Sequence, residues 1–182
     1  MNVIETPLSG VRIIEPKILG DARGFFMETW NELEFAKAGL TMKFVQDNHS
    51  LSTQGTLRGM HYQLQHTQGK LVRVISGEVF DAAVDMRRSS PSFGRWFGVT
   101  LSAENKRMLW VPEGFAHGFY VVSPQAEVQY KCTDFYDPGS QQSLAWNDPV
   151  VGIHWPLVPG VETLLSAKDR QGMALHDARA FA

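Results

Sequence analysis

The sequence predicts an all-β domain, a barrel or sandwich of many short strands. Three observations carry this reading. Residues alternate with a period of two in separate runs. Turn signals recur between those runs. Helix signals are scarce.

In chain order, the first clear element is the exception. Asn31-Glu-Leu-Glu-Phe-Ala-Lys-Ala-Gly39 predicts a short helix, with a capping residue, early acids, a late lysine and a closing glycine. The segment before residue 45 is less barrel-like than the rest, and it is expected to pack on a neighbouring subunit. Gly69-Lys70-Leu-Val-Arg-Val-Ile-Ser-Gly77 reads as a strand closed by a turn. Next, Phe80, Ala82, Val84 and Met86 alternate with Val79, Asp81, Ala83 and Asp85, which makes one face the more polar. Trp96-Phe-Gly-Val-Thr-Leu101 alternates in the same way. In Glu127–Thr133, Glu127, Gln129 and Lys131 take one side, and Val128, Tyr130 and Cys132 take the other. Turns are expected at Ser76-Gly77, Ser89-Ser90-Pro91, Pro112-Glu-Gly114 and Asp137-Pro138-Gly139. Ser166-Ala-Lys-Asp169 opens a second helical turn. No repeat, low-complexity tract or linker divides the chain, so residues 1–182 are expected to form one domain.

Bulk properties narrow the function. The chain has 182 residues, enough for a substantial core. A net charge of −2 gives no support for a general nucleic-acid binder, so any anionic ligand needs a local basic cluster. Cys132 is the only cysteine, which rules out an intrachain disulfide and fits a reducing compartment. There is no apolar run of membrane-spanning length, and Met-Asn-Val-Ile-Glu-Thr-Pro lacks the features of a signal peptide. A cytoplasmic protein is expected, with no membrane and no nucleic acid among its partners.

Two strings sharpen the fold. Gly55-Thr-Leu-Arg58-Gly-Met-His61 has the G-x5-H opening of the first cupin signature, and Pro112-Glu-Gly114-Phe-Ala-His117 resembles the second, P-x-G-x-x-H. The chain therefore resembles a cupin-type jelly-roll barrel. Gln63 stands where the first signature places its second histidine. Thr67 and Gln68 stand where that signature would place a glutamate, and His66 is only a loose substitute. Two histidines without their partners make a poor transition-metal site. The expectation is that no metal or other cofactor is used, and that His61 acts on protons.

Six strings then fall in one order along the chain: Asp21-Ala-Arg23-Gly-Phe-Phe, Gln46-Asp47-Asn48-His-Ser, Leu57–Gln63, Trp110–Phe119, Tyr130-Lys-Cys-Thr and Trp146-Asn-Asp-Pro. Together they resemble the dTDP-4-dehydrorhamnose 3,5-epimerase family over residues 2–170. The resemblance implies a metal-free jelly-roll homodimer acting on a dTDP-sugar. It implies epimerisation at C3 and C5 of dTDP-4-keto-6-deoxy-D-glucose, on the way to dTDP-L-rhamnose. Such a reaction needs a base for an α-proton, stabilisation of the enolate and an acid on the opposite face.

The resemblance also assigns roles. His61 matches the base, since imidazole titrates near neutral pH. Asp169 matches the acid that orients it, although Ser166-x-x-Asp169 also reads as a helix capping box. Tyr130 matches the proton donor; the alternative is a core aromatic with its hydroxyl tied off. Lys70 would stabilise the enolate oxygen. Arg23 and Arg58 would hold the diphosphate. Glu28, Gln46, Asp47, Asn48, Gln63 and Lys168 would contact the substrate. His117 would too, unless it is a vestigial metal histidine now paired to backbone. Tyr136 would stack on thymine or else pack beside Phe135. Gln141 departs from the acidic residue frequent at that position. Arg23 and Glu28 would reach the neighbouring subunit's site. Two other readings remain open at this point: a mono-epimerase acting at C3 or C5 only, and a cupin module that binds without turnover.

Overall fold

The computed structural model describes residues 1–182. Its strands form two antiparallel sheets packed face to face, the jelly-roll barrel expected from the signatures. The six-stranded sheet runs β1 (Asn2–Glu5), β2 (Arg12–Glu15), β10 (Met108–Val111), β7 (Lys70–Ser76), β12 (Gln125–Cys132), β5 (Gln46–Thr53). The five-stranded sheet runs β13 (Gln141–Ser143), β6 (Leu57–Gln63), β11 (Phe115–Val121), β8 (Glu78–Asp85), β9 (Trp96–Ser102). A separate hairpin pairs β3 (Ile18–Asp21) with β4 (Gly24–Met27). Two short helices complete the fold, α1 (Glu32–Lys37) and α2 (Ala167–Arg170). Neither is long and apolar enough to cross a membrane.

Alternation decides what meets inside. Val72 and Val74 of β7, Ala126 and Val128 of β12, and Leu109 and Val111 of β10 point inward from one sheet. Val79 and Ala83 of β8, with Phe115, Phe119 and Val121 of β11, meet them from the other. Each such buried side chain is worth roughly 1.5–3 kcal/mol in transfer free energy. Polar residues interrupt the same inward rows at Lys70, Asp81, His117, Tyr130 and Cys132. Those interruptions create the site.

The more polar face of β8 lies inside the protein, with Asp81 and Asp85 fully buried. The other face of this sheet is covered by the chain after β13, so Ala82, Val84, Met60 and Tyr62 pack against Leu144, Val151, Ile153 and Leu175. β8 is thus a core strand on both sides. One sequence expectation, for the N-terminal segment, needs correction. β1 and β2 extend the six-stranded sheet through β10, so residues 2–15 belong to the barrel. The part that stands apart is the β3–β4 hairpin, with Ile18, Leu19, Phe25 and Phe26 exposed.

The helix at residues 32–37 forms as its sequence predicts. The Asn31 side chain accepts hydrogen bonds from the Leu33 and Glu34 amides. Gly39 follows the helix at φ +78°, a conformation that suits glycine. Phe35 is buried against Ile14, Leu71 and Trp110 on the outside of the six-stranded sheet.

Candidate active site

At the open end of the barrel lies a cavity of about 350 Å3, and His61 and Lys70 are among its walls. β6 brings His61 there, opposite His117 in the register of β6 against β11. Gly59 and Gly118 permit that close pairing. A Cβ on Gly59 would lie 2.5 Å from the Gly118 Cα, and one on Gly118 would lie 2.7 Å from the Arg58 carbonyl oxygen.

The Nε2 atom of His61 is 2.7 Å from Asp169 Oδ1. His61 is 30% exposed, while Asp169 is 4% exposed. Asp169 is also the N3 partner of Ser166 in the capping box of α2. Its Oδ2 accepts from the Ser166 amide at 3.3 Å and the Ser166 hydroxyl at 2.6 Å. The Gly59 amide donates to Oδ1 at 3.3 Å. The two meanings of Ser166-x-x-Asp169 are therefore both realised, one by each carboxylate oxygen. Burial pushes this carboxyl up, but His61, Ser166 and the Gly59 amide outweigh it and hold it at about 2. It is an acceptor only, so it favours the His61 tautomer that carries its proton on Nε2. That leaves Nδ1 as the basic nitrogen.

β7 and β12 supply the facing wall. Lys70 is only 8% exposed, and burial lowers its pKa. Tyr130 shares the cavity wall. Burial raises the Tyr130 phenol, which stays protonated at neutral pH, while the Arg58 charge acts the other way. Arg58 reaches this side by donating from Nε to Ser52 Oγ on β5 at 3.0 Å. The arrangement places an acceptor nitrogen, a phenol donor and a buried amine around one cavity. That is the equipment for moving protons at a carbon next to a carbonyl.

A second group shapes the outer part of the cavity. Gln46 and Asn48, two apart on β5, both line it. Tyr136, Gln141 and Lys168 line it too, with the Lys168 ammonium 5.7 Å from the Tyr136 ring centre. Lys168 also donates to Gln141 Oε1. Gln63 lines the cavity, but its amide is already committed. It donates to the carbonyls of His66 (2.6 Å) and Phe135 (3.1 Å) and accepts from the Asp137 amide (3.1 Å). Only an amide can make that mixed set of bonds. Gln63 thus fixes the loop carrying Tyr136.

Besides Arg58, which is exposed and not among the residues lining the cavity, four other expected residues do not join the cavity of their own chain. Asp47 alternates away from Gln46 and Asn48 and pairs with Lys131 at 2.9 Å. Arg23 is at the hairpin tip, 89% exposed and paired with Asp21. Glu28 accepts from the Asn31 side chain at 2.9 Å. His117 is buried behind the wall, and its Nε2 lies 2.8 Å from Asp81 Oδ1. It pairs with a carboxylate, not with backbone as the alternative reading expected. His66 turns to Asp134 at 3.3 Å. No group of three His, Cys, Asp or Glu side chains converges as a metal site. Sequence reasoning passed over two residues. Gln68 lines the cavity while donating to the Asp134 carbonyl at 2.8 Å. Asp81 is fully buried; the signal was an acid in an alternating strand.

Comparison with known proteins agrees with this geometry. Residues 5–177 match the family described as dTDP-4-dehydrorhamnose 3,5-epimerase. A protein of that name from Shigella flexneri is 55% identical over 100% of this chain and 99% of its own length. One from Neisseria gonorrhoeae is 56% identical over 94% of this chain, which spans only 52% of that longer relative. A crystal structure from Legionella pneumophila, a dTDP-6-deoxy-D-glucose-3,5-epimerase in complex with dTDP-4-keto-L-rhamnose, superposes with a TM-score of 0.94 at 52% identity. That match covers 98% of this chain and 94% of the other. With its jelly-roll barrel and its histidine–carboxylate pair at the open end, this chain belongs to the dTDP-4-dehydrorhamnose 3,5-epimerase family.

Proposed function

We infer that the chain epimerises dTDP-4-keto-6-deoxy-D-glucose at C3 and C5 to give dTDP-4-keto-L-rhamnose. The observation that carries this is the His61–Asp169 pair facing Tyr130 and Lys70 in one cavity. In the D-gluco chair the hydrogens on C3 and C5 are both axial on one face. One base can therefore reach both carbons, since each flanks the C4 carbonyl. His61 removes the proton, Lys70 stabilises the enolate oxygen, and Tyr130 returns a proton to the other face. Arg58 faces the diphosphate, while Gln46, Asn48, Gln141 and Lys168 surround the nucleotide. The Tyr136 ring, half-exposed, offers a face to thymine.

The test is deuterium uptake from D2O into this substrate, read by mass spectrometry with EDTA present. Two non-exchangeable deuteriums, at C3 and C5, are expected. Uptake at one carbon only makes the chain a mono-epimerase, and uptake at neither removes the reading.

The same reading makes the working unit a homodimer of single-domain chains in the cytoplasm. Its support is the hairpin, which carries four exposed apolar side chains and Arg23 at its tip. An apolar arm of this kind marks an interaction surface. Arg23 and Glu28 then act in the partner's cavity. Neither R23A nor H61N dimers are expected to turn over. Mixed and re-equilibrated, they should recover about a quarter of wild-type activity, because half the dimers are mixed and each holds one intact site. No recovery would place Arg23 in its own chain's site or outside catalysis.

A further inference from the structure

We propose that Gln68 is a positioning residue for the nucleotide. Together with Gln46 and Gln63 it ties down the main chain of residues 134–137, so that the Tyr136 ring is in place before the ligand arrives. The proposal rests on the reading that the nucleotide stacks on Tyr136; the tying of the loop does not depend on that reading.

The loop leaves β12 in the six-stranded sheet and enters β13 in the five-stranded one. Residues 134–136 lie outside both strands and make no main-chain to main-chain hydrogen bond. Glutamine side chains fill that gap. Gln68 Nε2 donates to the Asp134 carbonyl at 2.8 Å. Gln63 Nε2 donates to the Phe135 carbonyl at 3.1 Å, and its Oε1 accepts from the Asp137 amide at 3.1 Å. Gln46 Oε1 accepts from the Tyr136 amide at 2.9 Å. Asp134, Phe135, Tyr136 and Asp137 are therefore each held by a glutamine. Gln46 comes from the six-stranded sheet, Gln63 from the five-stranded sheet and Gln68 from the connection between β6 and β7, so the loop is pinned from both sheets.

Other contacts do not hold this segment. Phe135 and Tyr136 are both exposed, so no apolar anchor fixes it. The His66–Asp134 pair is exposed and 3.3 Å apart, a geometry that contributes little. The Phe135 amide donates to Asp134 Oδ1, which is local and does not join the loop to the barrel. Lys168 reaches only the Tyr136 hydroxyl, at 3.4 Å. A loop without the glutamine bonds would have to be ordered when the nucleotide stacks, and that ordering would weaken binding. Gln68 is the member whose tie can be cut cleanly. Gln63 is buried and makes further bonds, and Gln46 also donates to the Asn48 side chain at 3.0 Å. Gln68 makes the single bond to Asp134.

Gln68→Met tests this, because methionine keeps the length of the side chain and has no N–H to donate. Gln68 belongs to none of the core clusters, so the variant should fold and unfold thermally like the wild type. In the ligand-free protein, NMR hydrogen exchange at the Tyr136 and Asp137 amides should become faster. The dissociation constant for dTDP and the KM for the dTDP-sugar should rise together, roughly three- to ten-fold, the effect of one hydrogen bond. The kcat should stay near wild type, since the loss is in binding. In a Tyr136→Ala background the same substitution should add little, because Gln68 acts through that ring. Weaker binding with loop exchange unmoved would mean that Gln68 touches the ligand itself, and it overturns the proposal. So do faster exchange with unchanged affinity, and full additivity with Tyr136→Ala. Wild-type protein that binds no dTDP removes the nucleotide reading and this use of the loop with it. Wild-type binding that Gln68→Met leaves unmoved removes the proposal alone.

Discussion

His61→Asn should fold like the wild type and lose turnover at both carbons together. The imidazole is at the cavity wall and not in the apolar core, so its loss opens no large void. Asparagine reaches only the position of Nδ1, but Asp169 stays partnered by the Gly59 amide and by Ser166. What disappears is the only imidazole lining the cavity. The expected fall in kcat is roughly 10²–10⁴-fold, the usual contribution of a general base. Deuterium uptake at C3 and C5 should fall in parallel, since one nitrogen serves both protons. Thermal unfolding should be nearly unchanged. If exchange at one carbon survived, a second base would be at work. If both survived at near wild-type rates, His61 would not be the base.

How the site arises explains what the sequence could reveal. Alternation made β8, β9 and β12 readable, because a strand's period of two survives whatever lies on either side. It could not say which faces meet water. Asp81 and Asp85 are fully buried, although acids rarely are. They are inside because β8 is covered on both sides, a fact set by strand order and by the chain that returns after β13. The same limit hid the task of Gln63. Its departure from the cupin signature was plain in the sequence. Its bonds to Phe135 and Asp137 depend on a loop more than seventy residues away. Asp47 shows the reverse. Its string was recognised as a unit, but strand geometry sends alternate members to opposite faces, and Asp47 meets Lys131 while Gln46 and Asn48 enter the cavity. The His61–Asp169 contact was legible only through family resemblance, because nothing local joins residues that far apart.

Asp169→Asn should cost nearly as much activity as losing His61, and it should also cost stability in a pH-dependent way. Three donors hydrogen-bond to this carboxylate, the Gly59 amide and the Ser166 amide and hydroxyl, and His61 Nε2 lies 2.7 Å from its Oδ1. An asparagine has only one acceptor oxygen, so its NH2 must face one donor pair. Facing Ser166, it breaks the cap of α2. Facing His61, it forces the proton from Nε2 to Nδ1, which removes the basic nitrogen from the substrate. A wrong tautomer of this kind costs on the order of 10⁴-fold in kcat in a comparable histidine–carboxylate pair. The stability effect follows by linkage. The carboxyl is held at about 2 in the folded protein, against an ordinary 3.8. A lowered folded value stabilises the protein fully above about pH 4, and the contribution fades as pH falls through about 2. At pH 7 that difference is worth about 2 kcal/mol. Urea unfolding of the wild type and the variant should therefore differ by about that much at neutral pH and converge toward pH 2. A gap that stayed constant with pH would mean that the carboxylate contributes through shape alone. A variant with normal kcat would show that His61 needs no partner to set its tautomer.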